Sequence, residues 1–134
     1  MKKNNNGFSL VELIIVIAIM AVLVGVLAPQ FIKYVEQSRR SRDIATAQEI
    51  REAYLAVIAD GLSGLPTTPA SGNPTALNEA PTVAGSLGGS WTVTYNASAG
   101  TCKVELTGCA SNSSGSTTFE LTNASVASVY KTAS

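Results

Sequence analysis

The hydrophobic pattern begins with an apolar run of 21 residues, Phe8 to Ala28, in which Glu12 is the single charged residue. About 20 apolar residues are needed for a helix to cross a bilayer. An ionisable side chain within such a segment is costly and indicates a functional role. The pattern therefore predicts a membrane-spanning helix in which the Glu12 carboxylate needs a partner.

From Gln30 to Asp60 the pattern becomes amphipathic. The predicted apolar stripe contains Ile44, Ala47, Tyr54, Leu55 and Ile58, with Ile50 and Val57 on its flank. The predicted solvent-facing positions hold Lys33, Glu36, Arg39, Arg40, Arg42, Asp43, Glu49, Arg51 and Glu52. Gly61 can adopt the left-handed conformation that ends a helix. Residues 8–60 are thus predicted to form one helix of roughly 80 Å, whose apolar end protrudes.

Gly25 lies within the apolar run and Pro29 directly follows it, and these two are the weakest helix formers of the segment. A proline lacks the backbone donor and its ring clashes with the carbonyl four residues earlier, which here belongs to Gly25. A helix kink is expected at this point.

The second half of the chain favours loops and strands. Residues 61–89 are rich in glycine and proline and are predicted as a loop, with one helical turn after Asn73. Apolar residues then alternate with polar ones, which is typical of strands. Three strands are predicted at Trp91–Tyr95, Cys102–Thr107 and Thr118–Leu121, and Val126, Val129 and Tyr130 suggest a fourth strand or a closing segment.

The apolar face of this sheet needs a cover, and the helical stripe between residues 44 and 58 is the one available. The predicted fold class is therefore α+β, with a long N-terminal helix packed on a small antiparallel sheet. The predicted organisation is a leader (1–7), an apolar helix half (8–29) and a globular head (30–134).

Composition argues against an enzyme. The 134 residues include no histidine, so the commonest general base and metal ligand is missing. No close carboxylate pair or phosphate-binding glycine motif is present, and no catalytic residue, metal site or cofactor is predicted. A formal net charge of zero does not suggest a specific nucleic-acid partner.

Cys102 and Cys109 are the two cysteines of the chain. An exported protein permits a disulfide between them. Seven residues of extended strand exceed the reach of a disulfide, unless Gly108 turns the chain sharply back. The spacing therefore argues against a disulfide between Cys102 and Cys109.

The N-terminal residues carry a family resemblance. The pattern Lys-Lys-x-x-x-Gly-Phe-Ser-Leu-Val-Glu-Leu over residues 2–13, the apolar run and Pro29 resemble a type IV prepilin over about the first 60 residues. The resemblance implies that a prepilin peptidase cleaves between Gly7 and Phe8 and that Phe8 is then N-methylated. It also implies a precursor in the bacterial inner membrane that later joins an extracellular filament. The implied partners are identical subunits, the peptidase, the pilus assembly machinery and membrane lipid.

The resemblance further implies that Glu12 pairs with the amine of Phe8 on a neighbouring subunit and so sets the assembly register. A free α-amine has an ordinary pKa of about 7.7–8.0 and is cationic at neutral pH. In an apolar core, both this amine and a carboxylate require partners. Because Glu12 is four residues after Phe8, an intrachain contact is also available, and the sequence does not distinguish the two.

Several alternatives compete with the pilus subunit. A cleaved signal peptide fits poorly because the run is long and contains an acid, and a simple membrane anchor explains neither Gly7-Phe8 nor Glu12. Lysine and arginine are more numerous after the span than before it, so orientation rests on the resemblance. The basic residues from Lys33 to Arg42 favour a solvated face over a lipid or DNA site. A pseudopilin of a secretion or DNA-uptake system and a non-polymerising anchored binding domain remain alternatives.

Overall fold

The computed structural model describes residues 7–68, 80–111 and 115–133. The chain forms two compact units, residues 1–35 and 36–134. Its elements are α1 (Leu10–Ala59), β1 (Ser90–Asn96), β2 (Thr101–Thr107), β3 (Thr118–Glu120) and α2 (Ala124–Thr132). This order confirms the predicted α+β class. Most of the predicted leader, residues 1–6, and the turn predicted after Asn73 lie outside the described residues.

Helix α1 ends as the sequence predicts. Gly61 has a φ of +78°, and its backbone amide donates to the carbonyl of Ile58 at 3.0 Å. The amide of Leu62 donates to the carbonyl of Val57 at 3.3 Å. These two hydrogen bonds form a Schellman motif, in which glycine supplies the left-handed residue.

The sheet in the second unit has three antiparallel strands in the order β1-β2-β3. Its register places Trp91 opposite Leu106, and Leu106 opposite Phe119. All three side chains are buried, as are Val93 and Val104. The predicted alternation of strand faces and the predicted antiparallel sheet are therefore confirmed.

The second-unit part of α1 covers this sheet. Ala47, Ile50 and Tyr54 belong to the same buried core as the inward strand residues. Ile50 is 1% exposed and lies within the buried stripe, so its assignment to the flank was wrong. Positions 47, 50 and 54 recur every three or four residues, which places them on one face of a helix.

The segment after β3 is a helix, so the option of a fourth strand was wrong. Asn123 caps α2, because its side-chain oxygen accepts a hydrogen bond from the Ser125 amide at 3.1 Å. Ala127 and Tyr130, three residues apart, are buried on one face. The ring of Tyr130 lies 5.2 Å from the ring of Phe119. Helix α2 therefore closes the core beside β3.

Candidate functional site

The N-terminus of α1 is capped by two side chains. Ser9 directly precedes the helix, and Glu12 lies in its first turn. The hydroxyl of Ser9 accepts a hydrogen bond from the Val11 amide at 3.2 Å. Oε2 of Glu12 accepts a hydrogen bond from the Ser9 amide at 2.8 Å. This reciprocal arrangement has the Ser-x-x-Glu spacing of a capping box, although Ser9 accepts from the second helical amide and not the third, and we call it the capping box. That signal in the sequence was missed.

The capping box gives Glu12 a partner within its own chain. A carboxylate near a helix N-terminus is also favoured by the helix dipole. The neighbouring Gly7 and Phe8 are exposed, and Phe8 is 93% exposed. The described part of the chain therefore leaves both residues uncovered.

The apolar half of α1 exposes its side chains to the surroundings. Its large apolar residues from Leu10 to Ile32 are at least half exposed. Helix α1 is long and apolar enough to span a membrane by length and composition, with a mean hydropathy of 3.1 in its most apolar window. It continues through Pro29. The kink at Gly25 and Pro29 stays a prediction.

A group of charged and hydroxyl side chains is connected by hydrogen bonds in the second unit. We call it the polar cluster (Glu36, Arg40, Asp43, Ser86 and Tyr130). Asp43 is 1% exposed. Its carboxylate accepts hydrogen bonds from the amides of residues 84 and 85 at 2.7 and 2.8 Å. It also accepts one from the Tyr130 hydroxyl at 2.7 Å.

Arg40 extends this cluster towards the C-terminal end of α2. Its guanidinium donates to the carbonyls of Tyr130 and Ala133 and to Oε1 of Glu36, the last at 2.8 Å. Glu36 in turn accepts hydrogen bonds from the amide and hydroxyl of Ser86 at 2.7 and 2.8 Å. The cluster therefore fastens α2 and the segment 84–86 to α1.

The ionisation of the cluster follows from its burial and its hydrogen bonds. Burial opposes the charge of Glu36, but the hydrogen bonds from Ser86 and Arg40 prevail and lower its pKa. Burial and the adjacent Asp43 raise the pKa of Tyr130 well above its usual range. Tyr130 therefore remains a hydrogen-bond donor at any ordinary pH.

Arg40 and Asp43 were predicted to lie on a solvated face, which was wrong. Arg40 is 4% exposed. Positions 40 and 43 continue the buried stripe at 47, 50 and 54 with the same spacing. That spacing was the available signal, but charged residues are almost never fully buried unless they are paired. Most partners of Arg40 and Asp43 are distant in sequence.

The two cysteines are buried and free. Cys102 lies in β2, whereas the Cys109 thiol donates to the Gly88 carbonyl at 3.3 Å. Burial raises the pKa of both thiols. Among the described residues, no group of three or more cysteine or carboxylate side chains could hold a metal ion.

Comparison with known proteins identifies the N-terminal region. The family model of the prokaryotic N-terminal methylation motif matches residues 2–28. The type IV major fimbrial protein FimA of Dichelobacter nodosus is 36% identical over 64 residues, which are 48% of this chain and 41% of FimA. The type IV narrow pilus major component PilA5 of Thermus thermophilus is 39% identical over 61 residues, which are 46% of this chain and 52% of PilA5.

The N-terminal region of the chain is similar to that of type IV pilins. It aligns with about half the length of the curated relatives it matches. No solved structure matches it. Gly7, Phe8 and Glu12 all lie inside the matched methylation motif. The polar cluster lies outside that motif, in the second unit.

Proposed function

We propose that the protein is a structural subunit of a type IV pilus, cleaved between Gly7 and Phe8 and N-methylated at Phe8. The membrane would hold the subunit by its apolar helix before the assembly machinery transfers it to a helical homopolymer at the cell surface. One observation carries this proposal: residues 2–28 match the methylation motif, and they include the start of an apolar helix that has Glu12 in its first turn. As a structural subunit, the protein would not be an enzyme.

The capping box supports a change of partner at Glu12. In the precursor the nitrogen of Phe8 is an amide, and Oε2 of Glu12 is bonded to the Ser9 amide. Cleavage turns the Phe8 nitrogen into an amine, which is cationic at neutral pH. The carboxylate then has a charged partner within reach, on its own chain or on a neighbouring subunit. The intersubunit pair would fix the register, because a misplaced subunit would leave both charges unpaired in an apolar core.

The apolar helix half has two successive environments in this proposal. Lipid first covers the exposed side chains, and helices of other subunits replace the lipid in the filament. Both environments are apolar, so the transfer need not expose the helix to water. A kink at Gly25 and Pro29 would adjust the helix path in either environment.

The mass of the mature N-terminus tests the proposal. We expect the chain to begin at N-methylated Phe8, and we expect Gly7→Ser to prevent cleavage. Ser9→Ala, which leaves the cleaved bond unchanged, is the matched control and should be processed. A mature chain that retains residues 1–7, or cleavage at another bond, would refute the proposed processing.

A pseudopilin is the second candidate, because the methylation motif and the helix fit it equally well. Long surface fibres of this protein would favour the pilus subunit. Loss of secretion or DNA uptake on deletion, without long fibres, would favour the pseudopilin. A subunit that is found only as a membrane-bound monomer would favour the anchored binding domain.

A further inference from the structure

The exposed surface of α1 in the second unit carries two pairs of like charges. Arg39 and Arg42 form a basic pair, and Glu49 and Glu52 form an acidic pair. All four side chains are exposed, and none forms an ion pair with another described residue. Each pair has the spacing i, i+3, at which side chains on a helix are neighbours and like charges repel.

The helix offers the acidic pair no counter-charge of its own. The residues three and four positions from Glu49 and Glu52 include no lysine or arginine. Arg42 likewise has no acid at these positions. Arg39 has Glu36 and Asp43 at the right spacing, but both are engaged in the polar cluster. The repulsion within each pair is therefore not relieved inside the helix.

The two pairs are related by one displacement. Ten residues separate Arg39 from Glu49 and also Arg42 from Glu52. Ten residues of α-helix correspond to about 15 Å along the axis. A parallel copy shifted by that distance would bring a basic pair level with an acidic pair. A helical filament is built from such heterologous contacts, in which two different patches of the same subunit meet.

We propose that Arg39 and Arg42 of one subunit dock against Glu49 and Glu52 of a second copy of this chain. This inference rests on the proposed polymerisation and adds a specific contact between heads. The contact would determine the axial offset of the heads through charge complementarity, which favours the correct neighbour and suppresses wrong registers.

Charge reversal in cells that express the full-length chain tests this contact. We expect R39E/R42E and E49K/E52K each to lower filament yield at least tenfold. The fourfold variant, in which the pairs exchange sign, should recover at least half of the wild-type yield, and so should co-expression of the two double variants. Lys131→Glu, a charge reversal at an exposed position on α2, is the control for an unrelated change of surface charge and should assemble normally.

Membrane-bound subunit level, N-terminal processing and buried Trp91 fluorescence show whether each variant is folded. If the charge-reversal variants do not fold, a milder variant tests the contact. Arg42→Lys keeps the charge and provides an amine, which a carbodiimide joins to a carboxylate as an amide with loss of water. Filaments of this variant should yield a crosslinked peptide that joins position 42 of one subunit to Glu49 or Glu52 of another.

The outcomes separate this contact from the proposed function. If wild-type chains form no filaments, the proposed polymerisation fails and the contact fails with it. If wild-type filaments form and folded double variants assemble equally well, the contact alone is refuted. Filaments of Arg42→Lys without the intersubunit crosslink also refute it.

Discussion

The Tyr130 hydroxyl on α2 donates a 2.7 Å hydrogen bond to the Asp43 carboxylate on α1, 87 residues earlier in the chain. This bond joins the last helix of the head to the first. Both side chains are almost completely buried. Hydrogen bonds become stronger in such surroundings, and the loss of either partner is correspondingly costly.

Tyr130→Phe removes this bond and leaves the ring in place. Because the acceptor is a charged group, we expect the free energy of unfolding of the head to fall by about 1.5–3 kcal/mol. Urea unfolding of the full chain in detergent, followed by the fluorescence of Trp91, measures the change. Tyr34→Phe is the control, because Tyr34 is 68% exposed and should contribute almost nothing. An equal effect of the two variants would contradict the role of the bond.

Gly85→Ala tests how closely the segment 84–86 approaches the polar cluster. An added Cβ would lie 2.6 Å from the Tyr130 hydroxyl and 2.9 Å from Oδ2 of Asp43. The resulting shift should lower the free energy of unfolding of the head by about 1–3 kcal/mol. Gly100→Ala supplies the comparison: its Cβ would meet nothing within 4 Å, although its φ of +64° disfavours alanine. An unchanged unfolding midpoint for Gly85→Ala would show that the segment is not held there.

The lowered pKa of Glu36 predicts a loss of stability in acid. A carboxyl group whose pKa is lower in the folded chain than in the unfolded chain stabilises the fold above its unfolded pKa. The ordinary value is 4.5, so this stabilisation should decline as pH falls below about 4.5 and through the lower folded pKa. Glu36→Gln should reduce the slope of unfolding free energy against pH in that range. Glu52→Gln, at an exposed position without an ion pair among the described residues, is the control.

The buried cysteines should be unreactive in the folded head. Because burial raises the pKa of Cys102 and Cys109, little thiolate is available to attack a thiol reagent at neutral pH. We expect slow labelling in the native chain and two labels per chain after denaturation without reductant. A mass two units below that of the reduced chain, with no labelling after denaturation, would instead show a disulfide.

The sequence predicted the elements whose side-chain pattern depends on near neighbours. Alternation identified β1 and β2, and the position of Gly61 identified the end of α1. The polar cluster escaped prediction because most partners of Arg40 and Asp43 lie about 40 to 90 residues away in the chain. Helix α2 escaped because its β-branched valines favour strands, whereas its cap at Asn123 decides the local structure.

Helix capping is observed for Glu12 and a role in assembly register is proposed for it, and a set of three variants distinguishes the two. Glutamine also serves in a capping box, so Glu12→Gln should keep the hydrogen bond to the Ser9 amide but cannot neutralise an amine. Ser9→Ala weakens the cap and keeps the charge, whereas Glu12→Ala removes both the hydrogen bond and the charge.

If the charge sets the assembly register, filament yield should fall about equally in Glu12→Gln and Glu12→Ala, while Ser9→Ala should assemble almost normally. All three chains should remain in the membrane and be cleaved before Phe8, because the apolar run and Gly7 are unchanged. Yield is measured as sheared filament per membrane-bound subunit, which corrects for differences in expression. Normal assembly of Glu12→Gln together with failure of Ser9→Ala would assign Glu12 to helix capping and leave the register to other contacts, because only the hydrogen bond would then matter.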